Sequence, residues 1–453
     1  MGLSLLAALA ALAPTGCSSE TPVISMELTL GQEADAMSRD PAVTRVDVRA
    51  TSLEGDVLLT TSAAPGETFD LGEVPRDRLY VFDATGVDAT GAAVVQGRTL
   101  SLDFSGVTGG AFPLFVQRTG EWARPPGGLP NAHVDAPAGV IGEQFLFTTG
   151  GTAAAGAEGM ADPTSSDSYD LVTYGAATSE AMPRVARSLV TRTSMALVLA
   201  EDGATVADFT DGSFAEVALP AGLTSFADIA GGRVVEASAG VSFVVGATRA
   251  DVPTTAVLAV AADGSVSAHQ LSGARAGAAA VYVPTVGLVV AGGSDTAAGV
   301  EVLADGATTF TPRPFPPDGV TGAGAVVLSG AQVALLGGVL GGAAAKTRTL
   351  DASCPTACTA QEVDAPLPVA MRGMVAYGIG VGRAIAVGSE AGADAMTRSF
   401  LFDVAIPEVV ELPLREPRRG ATPVVAPNGT LAILGGVHPD GTPALSVETW
   451  FPR

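Results

Sequence analysis

Apolar residues in this chain fall into short runs broken by Gly, Asp or Pro, and long helical patterns rich in Glu, Lys and Leu are absent. Such punctuation predicts many short strands joined by tight turns. Near the start the pattern alternates. Val46, Val48 and Ala50 share one face, and Arg45, Asp47 and Arg49 the other, which is the two-residue period of a half-buried strand. Further candidates are Asp56–Ser62, Thr68–Val74, Leu79–Ala84 and Arg98–Phe104, separated by the turn pairs Glu54-Gly55, Pro65-Gly66 and Thr90-Gly91. These strands predict a small β-sandwich, placed at residues 18–112.

Farther along the pattern changes from alternation to continuous apolar runs that end in glycine. They are Phe145–Phe147 before Gly150 and Gly151, Val244-Val245 before Gly246, Val289–Ala291 before Gly292 and Gly293, Ala334–Leu336 before Gly337 and Gly338, Ala384–Val387 before Gly388, and Ile433-Leu434 before Gly435 and Gly436. From Gly246 onward they recur at intervals of 46, 45, 51 and 47 residues. The gap from Gly150 to Gly246 holds a degenerate copy, Ala196–Ala200 followed by Glu201-Asp202-Gly203. A fixed period of this length is the signature of stacked or radial repeats. Other marks keep phase. Arg275, Arg372 and Arg419 each stand 16 or 17 residues before a glycine mark, and Leu219-Pro220, Phe315-Pro316, Leu367-Pro368 and Leu412-Pro413 precede the copies. The arginines are expected to tie one copy to the next.

These phased marks closely resemble the kelch repeat. The resemblance implies four-stranded antiparallel blades, with the glycine pair after the second strand, closing into a ring because one blade cannot bury both its faces. Seven copies imply a seven-bladed kelch-like β-propeller over residues 113–453, an all-β fold. The copies keep few of the family's aromatics: Tyr174 and Trp450 stand at the Tyr-like position and Trp122 at the Trp-like one. The last copy stops after a third strand around Ser446–Pro452, while Arg118–Pro125 resembles a fourth strand just before the first copy. That segment is expected to complete the last blade. The sandwich, for its part, looks like the immunoglobulin-like or transthyretin-like modules of exported bacterial proteins.

The net charge of −23, with only 24 basic residues, repels polyanions and excludes a nucleic-acid partner. The apolar run Leu3–Ala13 is too short to span a bilayer but suits a signal-peptide core. The sequence that follows it, Pro14-Thr15-Gly16-Cys17-Ser18-Ser19, resembles the lipobox of bacterial lipoproteins. That resemblance implies a signal peptide over residues 1–17, acylation of Cys17 and a lipid anchor in the cell envelope. In such an oxidising compartment Cys354 and Cys358 read as a disulfide closing a small loop.

No catalytic constellation emerges. The three histidines, His133, His269 and His438, are dispersed, and Gly-x-Ser-x-Gly, HExxH and phosphate-loop patterns are missing. Asp-Gly pairs such as Asp263-Gly264 read as hairpin turns and lack the acidic partners that calcium needs. The expectation is a monomeric, non-catalytic binding protein, without cofactor or metal, that meets a protein or glycan partner through its propeller. The alternative is a periplasmic sugar-acting hydrolase, lyase or epimerase, which would gather His, Tyr, Arg or carboxylates at one mouth of the channel.

Overall fold

A computed structural model describes residues 24–71, 78–103, 110–152 and 158–452. Cys17 and the apolar leader lie outside them, as do the ends of the expected strands Thr68–Val74 and Arg98–Phe104. Among the described residues the chain is all-β, its helical content limited to three single turns.

The first unit consists of two sheets over one core. In the smaller sheet Ile24–Thr29 pairs antiparallel with Phe69–Asp70 and parallel with Gly110–Phe115. In the larger, the strand order is Val57–Ala63, Arg45–Ser52, Leu79–Val87, Ala93–Arg98, Gln117–Arg118, with Leu102–Asp103 also paired to Leu79–Val87. The alternation predicted at 46, 48 and 50 holds: Val46, Val48 and Ala50 are buried against Met26, Tyr80, Phe82 and Leu114. Each large apolar side chain removed from water there contributes roughly 1.5–3 kcal/mol. The boundary expected between residues 112 and 113 falls inside the strand Gly110–Phe115, and pairing with the first unit continues to Arg118. Those strands join through partners far away in sequence, which local patterning does not reveal.

The rest of the described chain forms seven four-stranded antiparallel sheets, I to VII in chain order. Their first strands are Ala138–Ile141, Ser188–Thr191, Arg233–Glu236, Ala279–Val283, Gly324–Ser329, Met371–Gly380 and Thr422–Val425. Each packs beside the first strand of the next sheet from I to VI, and Ala138–Ile141 of sheet I also packs beside Thr422–Val425 of sheet VII. Sheets VI and VII meet through Ile385, Val387, Leu431 and Ile433, which share one cluster with both tryptophans. The first strands therefore surround a central channel, and each pairs within its sheet on one edge only.

Second strands are covered on both faces, which explains their unbroken apolar sequence: Leu431–Leu434 is buried at all four positions. The glycine marks follow these strands, apart from Gly388, which lies within Arg383–Glu390. Two different demands select glycine. Gly435 and Gly436 have φ of +67° and +90°, a left-handed conformation that side chains strain to adopt. Gly246 has no positive φ, but a Cβ there would strike the Asp228 carbonyl oxygen, so close packing excludes any side chain.

Sheet VII is completed by residues from before sheet I. Trp122–Ala123 pairs antiparallel with Glu448–Trp450, placing Trp122 opposite Trp450. The first unit braces this seam. Glu121 accepts bonds from Arg39 at 2.7 Å and Arg415 at 2.5 Å, and Arg124 bridges Glu33 and Glu416, both at 2.9 Å.

Candidate functional site

Many charged side chains of the ring are committed to holding it together, and the clearest device sits just before the first strands of sheets IV and VII. Arg275 is fully buried and donates to the Gly292 carbonyl at 2.8 Å, to the Ala298 carbonyl and to Glu301 at 2.8 Å. Arg418 repeats this with the Gly435 carbonyl at 3.1 Å and Glu448 at 2.9 Å. In both cases the cation precedes its glycine by 17 residues and the acid lies on the third strand.

The same count from Gly150 gives His133, whose Nδ1–H donates to the Gly150 carbonyl at 2.8 Å while Nε2 faces Asp167 at 3.2 Å. Elsewhere the position is apolar and buried: Ile229, Val320 and Met371. The expected arginines are thus corrected in part. Arg275 holds the position, but Arg372 and Arg419 are each one residue late, and Met371 and Arg418 occupy it. Arg275 ends the fourth strand of sheet III and donates into the loop and third strand of sheet IV, so it ties one sheet to the next as expected, whereas the side-chain bonds of Arg418 to Gly435 and Glu448 stay with sheet VII. A fixed spacing of 17 residues, read without regard to residue type, is the signal that would have found them.

Burial strains these pairs. It pushes the Glu448 carboxyl upward against the pull of Arg418 and the backbone N–H groups of Arg415 and Glu416. It also lowers the Arg418 guanidinium from its ordinary value, opposed by Glu448 and Glu416. The histidines take up structural or surface places. His133 serves as above, His269 faces the Thr308 carbonyl and His438 the Pro417 carbonyl. Cys354 and Cys358 are disulfide-bonded. Cys358 is buried within the core between sheets IV and V, so this loop is anchored in packed structure and not merely laid on the surface. Among the described residues no group of His, Cys, Asp and Glu could hold a metal ion.

What remains uncommitted lies in the channel. A cavity of about 540 Å³ is lined by the first strands of sheets VII, I, II and III, with Val375 and Tyr377 from sheet VI. A second, of about 530 Å³, is largely apolar and shares Tyr377 and Val425 with the first. Arg233 begins the first strand of sheet III, and Tyr377, from the first strand of sheet VI, lines the same cavity. The Arg233 side chain is half-buried, and the desolvation it does suffer lowers its pKa to about 10, with Tyr377 pulling the other way. It is still charged at neutral pH, yet no carboxylate pairs with it among the described residues. Burial likewise raises the Tyr377 phenol well above its ordinary range, so the phenol keeps its proton and donates, here toward the Pro423 carbonyl at 3.4 Å. On the same wall burial raises the Asp135 carboxyl.

Four-stranded sheets set radially about a channel define a β-propeller. No family model matches the chain, and no curated protein matches it by sequence. Solved structures similar to it include the N-terminal domain of Nup159, at 12% identity over 71% of this chain and 90% of that one, TM-score 0.39. Another is a calcium-binding protein, regucalcin, from Agrobacterium tumefaciens, at 12% identity over 71% and 92%, TM-score 0.37. A third is a quinoprotein alcohol dehydrogenase-like protein from Bacteroides thetaiotaomicron, at 10% identity over 81% and 88%, TM-score 0.40. At these scores the likenesses carry no weight for function, and the propeller is argued from the sheets themselves.

Proposed function

We propose that the protein is a lipid-anchored, non-catalytic binding protein of the bacterial envelope, built as a seven-bladed kelch-like propeller on an immunoglobulin-like sandwich. One observation carries the binding role: the channel holds an unpaired cation beside a protonated phenol, a pair equipped to grip a ligand. A general base needs a pKa near the working pH, and burial drives Tyr377 away from it. The sandwich acts as a spacer between Cys17 and the ring, and the ligand enters from the channel mouth.

The convergence of Arg233 and Tyr377 on one cavity is also what favours the second reading, a sugar-acting enzyme. One experiment separates the two. The full chain is immobilised and offered a panel of defined envelope glycans, and both retained and released material are examined by mass spectrometry. Retention of an unchanged glycan supports binding. Cleaved, eliminated or epimerised products overturn it, and so does a panel with no retained member.

A further inference from the structure

Arg233 is half-buried and lines the channel cavity, where a cation without a carboxylate partner is free to meet an anion. The chain has 47 acidic residues against 24 basic ones, yet none of the described acids pairs with Arg233. The carboxylates on the same cavity wall are Asp135 and Glu236. Glu236, on the same strand, accepts from Ser242 at 2.5 Å and lies 3.7 Å from Arg192. Arg187, the other cation of the wall, is paired with Glu201 at 3.4 Å. Arg233 alone presents an uncommitted guanidinium to the cavity, and Tyr377 lines the same cavity with its O–H held only by a 3.4 Å contact to the Pro423 carbonyl.

We propose that Arg233 and Tyr377 form the anion-binding end of a channel site for a small carboxylate-bearing sugar; this rests on the binding role proposed above. The guanidinium fork matches the two oxygens of a carboxylate, and the Tyr377 O–H would exchange its 3.4 Å contact with the Pro423 carbonyl for one of them. A monoanion fits better than a phosphate dianion. One cation faces it, while Asp135 and Glu236 line the same cavity and would repel a second negative charge. Sugar hydroxyls find partners in the N–H and C=O groups along the unpaired, channel-facing edges of the first strands. Apolar faces of the ring rest on Val140 and Val234. A volume of about 540 Å³ is ample for a monosaccharide and within the ordinary range of small-molecule sites.

The test is calorimetric titration of the full chain with glucuronate, glucose and inorganic phosphate. Glucuronate should bind, with glucose and phosphate each weaker by about tenfold or more. Arg233→Met should weaken glucuronate by about tenfold or more, Arg233→Lys should retain part of the affinity, and Tyr377→Phe should lose a few-fold. The melting temperature of Arg233→Met should stay close to that of the parent, since no described group pairs with the guanidinium. A lowered melting temperature would mean that Arg233 is structural and would overturn the proposal. Absence of glucuronate binding, glucose or phosphate bound as tightly, or unchanged affinity in Arg233→Met would overturn it as well. The glycan panel described above reads the binding role separately, so a negative titration here leaves that role to its own experiment.

Discussion

The two tryptophans at the seam offer a controlled comparison. Trp122 and Trp450 face each other in register and are exposed by only 1% and 2%. Their polar atoms differ. The Trp122 indole N–H donates to Ser399 Oγ at 2.7 Å, and Ser399 in turn donates to the Leu412 carbonyl at 2.6 Å. The Trp450 Nε1 is buried with no partner among the described residues. Replacing either by Phe removes similar volume, and the cavity left costs roughly 1–2 kcal/mol by analogy with other core truncations. Trp122→Phe also loses a buried hydrogen bond, adding about 1 kcal/mol. Trp450→Phe instead relieves an unsatisfied donor, returning about 1–3 kcal/mol. Trp122→Phe should therefore be destabilising by about 2–3 kcal/mol, and Trp450→Phe close to neutral. The assay is urea denaturation followed by fluorescence, in which each variant keeps the other tryptophan as reporter at the same seam. Equal losses in the two variants, or a larger loss in Trp450→Phe, would refute the reasoning.

Three more outcomes are expected. Arg275→Met alone should cost about 3–5 kcal/mol by leaving Glu301 buried without its cation, whereas Arg275→Met with Glu301→Leu should recover most of that loss in the same denaturation assay, as the apolar occupants Met371 and Val320 foreshadow. Acid should loosen the brace between the first unit and the ring. Burial opposes it, but Arg39 and Arg415 hold Glu121 low, and Ser446, Arg124 and Arg418 hold Glu416 low. Their stabilisation is present above the ordinary Glu value of about 4.3 and lost as pH falls through the depressed values, so melting temperature should drop in acid less steeply for Glu121→Gln than for the parent. Finally, Cys17→Ser should move the protein from the membrane to the soluble envelope fraction; a variant that stays with membranes would count against acylation.

Legibility differed by scale. The glycine marks were readable because each follows from a local demand, either positive φ, as at Gly435, or lack of room, as at Gly246. The fourth strand of sheet VII was readable because its sequence, Glu121-Trp122-Ala123-Arg124, stood beside a last copy that lacked one. The strand Ala93–Arg98 escaped notice because Ala93-Val94-Val95 interrupts alternation with two successive buried valines. The arginine device was partly hidden because its position accepts Arg, His, Ile, Val or Met, so that the conspicuous Arg-Gly pairs at 372–373 and 419–420 drew the reading one residue away. The channel pair was not legible at all. Arg233 and Tyr377 belong to sheets III and VI, and only closure of the ring brings them to one cavity.

The order of synthesis gives the seam a further meaning. Trp122–Ala123 is made early and must wait, unpaired, until Glu448–Trp450 exists. This contact has one of the longest sequence separations in the chain, and closing such a loop is slow. A chain synthesised from its N-terminus can build sheets I to VI one after another while its last edge stays open. Every truncated or stalled product would then carry a bare strand edge and an exposed Trp122. That edge is a ready signal for proteases or chaperones, so ring closure doubles as a built-in check that translation has run through residue 450.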